Sequence, residues 1–146
     1  MAITSAICNS FKTEILTATH NFTASTGNTF NLALYTSSAT LSKSTTAYSA
    51  TNEITNTSGS AYSAKGNALT SVTPVLSSDT AVCDFADTSW TSASFTANGC
   101  LIFNDKANGD PACCAIAFGG DKTFSSGTFT IQFPTADSSD AIIRIA

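Results

Sequence analysis

The stretch ASFTANGCLIFNDKANGDPACCAIAF, residues 93–118, contains two candidate β-strands separated by a turn. The apolar run CLIF at residues 100–103 predicts a buried strand, and Gly99 in front of it predicts a β-bulge. The segment DKANGDP is rich in turn-forming residues, and ACCAIAF after it predicts the second strand. Two such strands around a turn are typical of an all-β domain.

Alternation of apolar and polar residues recurs on both sides of this stretch. In FNLALYTS, the side chains of Phe30, Leu32 and Leu34 share one face of a predicted strand. Further strands are predicted in NALTSVTPVL, where Pro74 favours an edge or a bend, and in TAVCDFAD, TFTIQF and AIIRIA.

Turn signals separate these strands. Turns are predicted in GGDKTFSSG, residues 119–127, and in PTADSSD, residues 134–140. Short alternating strands with frequent turns predict an all-β sandwich or barrel. We expect a single antiparallel β-sandwich, jelly-roll-like, with a short N-terminal helix.

The helix is predicted in TSAICNSFKTEIL, residues 4–16. Here Ile7, Phe11 and Ile15 recur every four residues and form one apolar stripe. The Thr-Ser pair that opens the segment is the predicted N-cap.

The whole chain, 1–146, is expected to form one domain. The helix and a linker occupy 1–20, and the sandwich occupies 29–146 with a long polar excursion over 37–67. This excursion carries either a few short strands or a long structured loop, and loops of this length usually have a function. Its isolated apolar residues are Leu41, Tyr48, Ile54 and Tyr62.

Composition excludes several classes of protein. Charged residues make up 11% of the chain, and the net charge is −4. Because the six cations are scattered, we expect no nucleic-acid partner. No apolar run approaches the ~20 residues of a membrane helix and no secretion signal is recognisable, so we expect no membrane partner. Synthesis in a cytoplasm would keep the odd number of cysteines reduced.

Candidate chemistry is sparse. His20 is the only histidine and lacks the spacing of known histidine motifs, so we expect a loop or capping role. The cysteines include no Cys-x-x-Cys pair, which disfavours a zinc site. Asp84 and Asp87 could contribute to a calcium site, but turn chemistry is the favoured interpretation. We therefore predict no catalytic, cofactor-binding or metal-ligating residues, no cofactor, and a protein that is not an enzyme.

Cys113 and Cys114 are adjacent in ACCAIAF. Because successive side chains of a strand point to opposite faces, Cys113 is expected beside Ala115 and Cys114 beside Ile116. We expect Cys114 in the core, with the cysteines acting as buried, small apolar residues rather than as a metal or redox site.

A set of segments resembles a family of small virion proteins of tailed bacteriophages, of the cyanophage type. They are LALYTSSATL, TAYSATNE, DFADTSWTSASFTANG, LIFN, FGGDKT, GTFTIQFP and IIRIA. The resemblance covers nearly the whole chain and is strongest over 32–53 and from Asp84 onward. The chain departs from the family at ITNTSGSAYSAKG, where relatives have a tighter Gly-Tyr-Gly-Gly-type turn, and around NDKANGDPACCA.

The resemblance implies a virion structural protein. The preferred version is a capsid cement or decoration protein, a homotrimer that binds the major capsid protein on the capsid exterior after synthesis in the host cytoplasm. A tail or fibre component is the alternative. A third hypothesis is a host-surface carbohydrate-binding module that uses Trp90, Tyr48 and Tyr62; for Trp90, packing at a core edge or interface is favoured.

Overall fold

The computed structural model describes residues 2–55 and 61–146. The elements are β1 (Ala6–Ile7), α1 (Asn9–Leu16), β2 (Phe30–Tyr35), β3 (Asn67–Ala68), β4 (Ser71–Ser77), β5 (Thr80–Phe85), β6 (Thr88–Asn104), β7 (Ala112–Ile131) and β8 (Ile143–Ile145). They form a five-stranded sheet of order β1-β7-β6-β2-β3 and a three-stranded sheet of order β4-β5-β8, and all neighbouring strands are antiparallel. This confirms the predicted all-β sandwich with a short N-terminal helix.

The strands β6 and β7 form one long hairpin around the turn predicted at DKANGDP. The predicted turn at 119–127 is wrong, because β7 continues through it. Ala97 pairs with Lys122 while Gly99 pairs with Ala117, so β7 has extra residues at this point. Gly119 and Gly120 both have positive φ and lie among these extra residues. The glycines that signalled a turn therefore form a bulge in a continuous strand.

Gly99 lies at the opposite side of the same irregularity, which confirms the predicted bulge. A Cβ atom on Gly99 would lie 2.6 Å from the backbone oxygen of Ile116 and 2.7 Å from Cγ2 of Ile3. Only a residue without a side chain allows this close approach between the strands and the N-terminal segment.

Pro74 lies in β4, at an edge of the three-stranded sheet, where the register with β5 shifts between Val72 and Val75. The prediction of an edge or a bend is confirmed, because proline has no N–H to donate to a ladder.

The helix begins later than predicted. Ala6–Ile7 is a strand, because Ile7 pairs with Cys114 at the edge of β7. Cys8 is the N-cap, and no side chain caps the helix. Ser5 instead accepts a hydrogen bond from the backbone N–H of Ala117, at 2.9 Å. Pairing with the sheet edge thus overrides the helical period of the first residues.

The strand β2 is buried on both faces, and all six of its residues are buried. On one face, the ring of Phe30 stacks on Phe22 at 4.2 Å between centroids and contacts Phe85 at 5.8 Å. On the other face, Tyr35 donates to the backbone oxygen of Ser49, at 2.7 Å. The first face thus contacts the 17–29 loop and β5, and the second contacts the N-terminal limb of the excursion.

The helix α1 has eight residues. In the described part of the chain, no helix has both the length and the apolar character needed to cross a membrane.

Candidate functional site

The 37–67 excursion lies directly along β2. Ile54 donates its N–H to the backbone oxygen of Leu34 at 2.9 Å, and Thr36 donates to Asn52 at 3.0 Å. Apart from isolated bridges, residues 37–55 and 61–66 form no strand, so a structured loop replaces the alternative of several short strands. Residues 56–60, which belong to the segment ITNTSGSAYSAKG, lie outside the described residues, so the departure predicted there is not described.

Glu53 is the centre of the contacts that hold the excursion. Its side chain is 8% exposed. Oε2 accepts a hydrogen bond from the hydroxyl of Tyr48 at 2.5 Å, and Oε1 accepts from the hydroxyl of Tyr62 at 2.6 Å. Oε1 also accepts from the backbone N–H of Lys65, at 2.7 Å. A buried carboxylate with three donors is satisfied, and charge-assisted bonds of this kind are the stronger ones.

Tyr62 links this carboxylate to the sheet. Its hydroxyl accepts a hydrogen bond from the backbone N–H of Leu34, at 2.9 Å, while it donates to Glu53. Burial, followed by the bond to Glu53, raises the pKa of Tyr62 far above its ordinary value. The same two causes raise the pKa of Tyr48 to about 12. Both phenols therefore stay protonated and keep donating at neutral pH.

Lys65 joins the excursion to the turn between β6 and β7. Its ammonium lies 2.8 Å from a carboxylate oxygen of Asp105 and 2.8 Å from one of Asp110. It also lies 5.6 Å from the centre of the Tyr48 ring, which stacks on Phe103. Hydrogen bonds to the two aspartates raise the pKa of Lys65, so it remains a cation.

The outer surface of the excursion is hydroxylic and nearly uncharged. Lys43 is the only charged residue among the exposed residues of 37–55. A hollow of about 270 Å³ opens in this surface, lined by Ser38, Thr40, Thr45 and Asn52 over the ring of Tyr35. Residues 37–55 therefore present a fixed surface whose only charge is Lys43.

A larger, apolar groove of about 580 Å³ lies beside β1 and β7. Its walls include Ile7, Ile116, Phe118 and Phe133, with Cys114 among the lining residues. The groove offers mainly apolar contact.

The aromatic residues of the carbohydrate hypothesis are not on the surface. Trp90 is 2% exposed and Tyr62 is 0% exposed, and their rings pack 5.9 Å apart. Trp90 also contacts Phe129 edge to face. Tyr48 is partly buried on Phe103. The prediction that Trp90 packs at the core is confirmed, and these three side chains do not form an exposed sugar-stacking surface.

His20 is in a loop, as predicted, but it is buried rather than capping a helix. Its ring is 4.9 Å from Phe11, and Nδ1 lies 3.2 Å from Nδ2 of Asn104. Nε2 lies 3.5 Å from Oε1 of Glu14.

All five cysteines are buried and free, which confirms Cys114 as a core residue. The predicted opposite faces of Cys113 and Cys114 are wrong. Phe103 pairs with Ala112 and Ile102 with Cys114, so Cys113 is the extra residue of a bulge. Its Sγ lies 3.8 Å from Nδ1 of His20, on the helix side of the sheet. The bulge interrupts the alternation on which the prediction rested.

The acidic residues form local bonds. Asp84 accepts from the N–H of Phe85, and Asp87 accepts from the N–H of Phe133. Among residues 2–55 and 61–146, no group of three or more His, Cys, Asp or Glu side chains is placed to hold a metal ion.

Sequence reasoning missed Glu53, Lys65 and Asn104. Glu53 carried one usable signal, because it is the only acidic residue in the 37–67 excursion and is followed by an apolar residue. The partners of Lys65 are 40 and 45 residues away in sequence, and no local pattern indicates them.

Comparison with protein-family models, with curated proteins and with solved structures gives no match in any of the three. The functional argument therefore rests on the residues and on the geometry described above.

Proposed function

We propose that this chain is a structural protein of a bacteriophage virion, and that it acts as a cement protein on the exterior of the capsid. In this role it binds the major capsid protein and stabilises the head shell as a homotrimer. The resemblance of its segments to small phage virion proteins supports this proposal, as does its acidic net charge of −4, which suits a position away from packaged DNA.

The observation that carries the proposal is the fixed and nearly uncharged surface of residues 37–55. Burying hydroxyl groups at an interface costs less free energy than burying charges, and the centres of interfaces are depleted in charged residues. Lys43 is the only charge that residues 37–55 expose. Glu53, Tyr62 and Lys65 hold this segment in place before any partner binds. A preorganised surface loses less conformational entropy on binding.

Binding to capsid shells tests the role of this surface. Thr40 is exposed in the excursion, whereas Ser125 is exposed on β7. Thr40→Glu should weaken binding to shells assembled without the protein, because it places an unpaired charge at the interface. Ser125→Glu is the matched control and should bind like the wild type. Equal binding of both variants would show that the excursion does not lie at the interface with the capsid shell.

Copy number separates the capsid from the tail. Quantitative mass spectrometry of purified particles should find the chain in amounts comparable with those of the major capsid protein. A few copies per particle would indicate a tail or fibre component instead. Light scattering of the isolated protein should give the mass of a trimer, and a monomer would contradict the proposed free homotrimer.

A further inference from the structure

We propose that Glu14, His20, Asn104 and Cys113 form an acid-sensitive latch, which holds α1 and the 17–29 loop against the five-stranded sheet. The four residues come from α1, the loop, the end of β6 and the start of β7. The latch is a property of this fold and does not depend on the proposed virion function.

Asn104 determines which atoms of the cluster donate hydrogen bonds and which accept them. It is fully buried, and its Oδ1 accepts the backbone N–H groups of Lys106 at 3.0 Å and Ala107 at 3.1 Å. Oδ1 is therefore the acceptor end of the amide, and Nδ2 is the donor end. Nδ2 faces three atoms: Oδ1 of Asn28 at 3.1 Å, Nδ1 of His20 at 3.2 Å and, at the longer distance of 3.4 Å, the backbone oxygen of Thr19.

This polarity assigns the tautomer of His20. Because an amide nitrogen only donates, Nδ1 of His20 must accept, and it carries no proton. The thiol of Cys113 lies 3.8 Å from the same nitrogen and can share its single lone pair with Asn104 as a second, more distant donor. The ring proton resides on Nε2, which faces Oε1 of Glu14 at 3.5 Å. Both of these atoms are inaccessible to solvent, and neither has a hydrogen-bond partner among the described residues, so their contact at 3.5 Å is the nearest approach of opposite polarity for each.

The groups around the ring decide how it responds to acid. The titratable groups that face it are Glu14 from α1 and Cys113 from β7, while β6 presents neutral Asn104 and β2 presents Phe30. Burial raises the pKa of Cys113 well above its ordinary value, so this thiol stays neutral in acid. Glu14 alone favours a charged ring.

To become a cation, the ring of His20 would have to bind a second proton at Nδ1. The amide N–H of Asn104 and the thiol of Cys113 already face that nitrogen as donors, so the second proton is disfavoured. Burial lowers the pKa of His20 below 6.5, and the contact with Glu14 opposes this shift without reversing it. The unfolded chain therefore takes up the proton first. The latch therefore contributes its full stabilisation of the folded state above about pH 6.5, and this stabilisation decreases as the pH falls toward the lowered pKa of His20. The folding equilibrium constant decreases by at most about tenfold per pH unit.

Nitrogen NMR of the imidazole tests the assignment, and the resonances are unambiguous because the chain has one histidine. At neutral pH we expect a protonated Nε2 and an unprotonated Nδ1, and a ring pKa below that of the unfolded chain. A proton on Nδ1, or a ring pKa at or above the unfolded value, would overturn the proposal.

Two substitutions should shift the ring pKa in opposite directions. Cys113→Ala removes a donor to Nδ1 and should raise the pKa of His20, whereas Cys113→Ser keeps a donor and should leave it nearer the wild-type value. Glu14→Gln removes the charge that favours a protonated ring and should lower the pKa. The opposite order would overturn the latch, and Glu14→Gln tests it even if the alanine variant does not fold.

Thiol labelling shows whether acid opens the latch locally. Cys113 and Cys100 are equally buried, at 0% exposure, but only Cys113 contacts His20. With a dipyridyl disulfide at about pH 5, below the ordinary histidine pKa, Cys113 should react before Cys100. His20→Gln should abolish this preference. Equal rates for both thiols at every pH would contradict the latch.

Discussion

The hydroxyl of Tyr62 and the carboxylate of Glu53 meet at 2.6 Å in the interior of the protein, although they are nine positions apart in sequence. Because Tyr62 also accepts the N–H of Leu34, this contact ties both limbs of the excursion to the central strand β2. The buried acid therefore adds side-chain anchors to the backbone hydrogen bonds that hold the excursion, such as the one from Ile54 to Leu34.

Replacing that acid should destabilise the protein. In Glu53→Gln the side chain keeps one acceptor oxygen, but an NH2 group replaces the other. Because this NH2 group can only donate, a donor that formerly bonded to the carboxylate loses its acceptor. We expect a loss of about 1–3 kcal/mol in the free energy of unfolding, measured in urea. Asp79→Asn is the control, because Asp79 is exposed, and it should change stability by less than about 0.5 kcal/mol. Similar losses for both variants would argue against the role of Glu53.

A methyl group at Gly99 should also be destabilising. The new Cβ would lie 2.6 Å from the backbone oxygen of Ile116, so strand β7 would have to move. We expect Gly99→Ala to cost about 1–3 kcal/mol, as overpacking does. Gly127→Ala is the matched control, since its nearest neighbour is Cδ1 of Phe124 at 3.7 Å. Thermal unfolding of the two variants compares them, and equal melting temperatures would contradict the close packing at Gly99.

Alkali should unfold the protein cooperatively. Burial raises the pKa of Cys8 to about 11 and the pKa values of Cys83 and Cys114 to about 12, and it raises those of Cys100 and Cys113 well above their ordinary value. The unfolded thiols ionise near pH 8.5, so stability is complete below that pH and is lost as the pH rises toward the folded values.

Above the pKa of the unfolded thiols, each cysteine lowers the free energy of unfolding by about 1.4 kcal/mol per pH unit. Within about one to two pH units, the combined loss from five cysteines approaches the total free energy of unfolding of a typical protein. Circular dichroism and thiolate absorbance should therefore change together between about pH 10 and pH 11. A gradual titration of thiols at their ordinary pKa, in a protein that keeps its folded spectrum, would contradict this expectation.

The native protein should resist thiol reagents at neutral pH. All five cysteines are buried, so aromatic disulfides should label them only at the rate of unfolding. Ser38→Cys introduces an exposed thiol in the excursion and should react rapidly, which verifies the reagent. Fast labelling of Cys114 in the wild type would contradict its position in the core.

Local pattern predicted much of the architecture. The alternation in FNLALYTS predicted β2, the glycine before CLIF predicted a bulge, and Pro74 predicted an edge or a bend, and the structure has all three features. These features depend on residues close together in sequence. Pattern failed at residues 119–127 and at Cys113, where bulges keep strands continuous through turn-forming residues or change the face of a side chain.

The candidate site was less predictable, because its partners are distant in the chain. Asn104 contacts His20 across 84 positions, and Lys65 contacts Asp110 across 45. The excursion was recognised as a long polar segment, but composition does not show which of its residues is buried. The sequence does not show that Glu53 is buried, because its burial depends on the packing of the excursion beside β2, which is itself buried on both faces.

The proposed function is that of a capsid cement protein whose excursion meets the shell. Cryo-electron microscopy of the intact particle shows directly where the chain lies. We expect density for the sandwich on the outer surface of the capsid, at three-fold or quasi-three-fold positions, with residues 37–55 facing the major capsid protein. Density for the chain only in the tail, or its absence from the particle, would rule out this function.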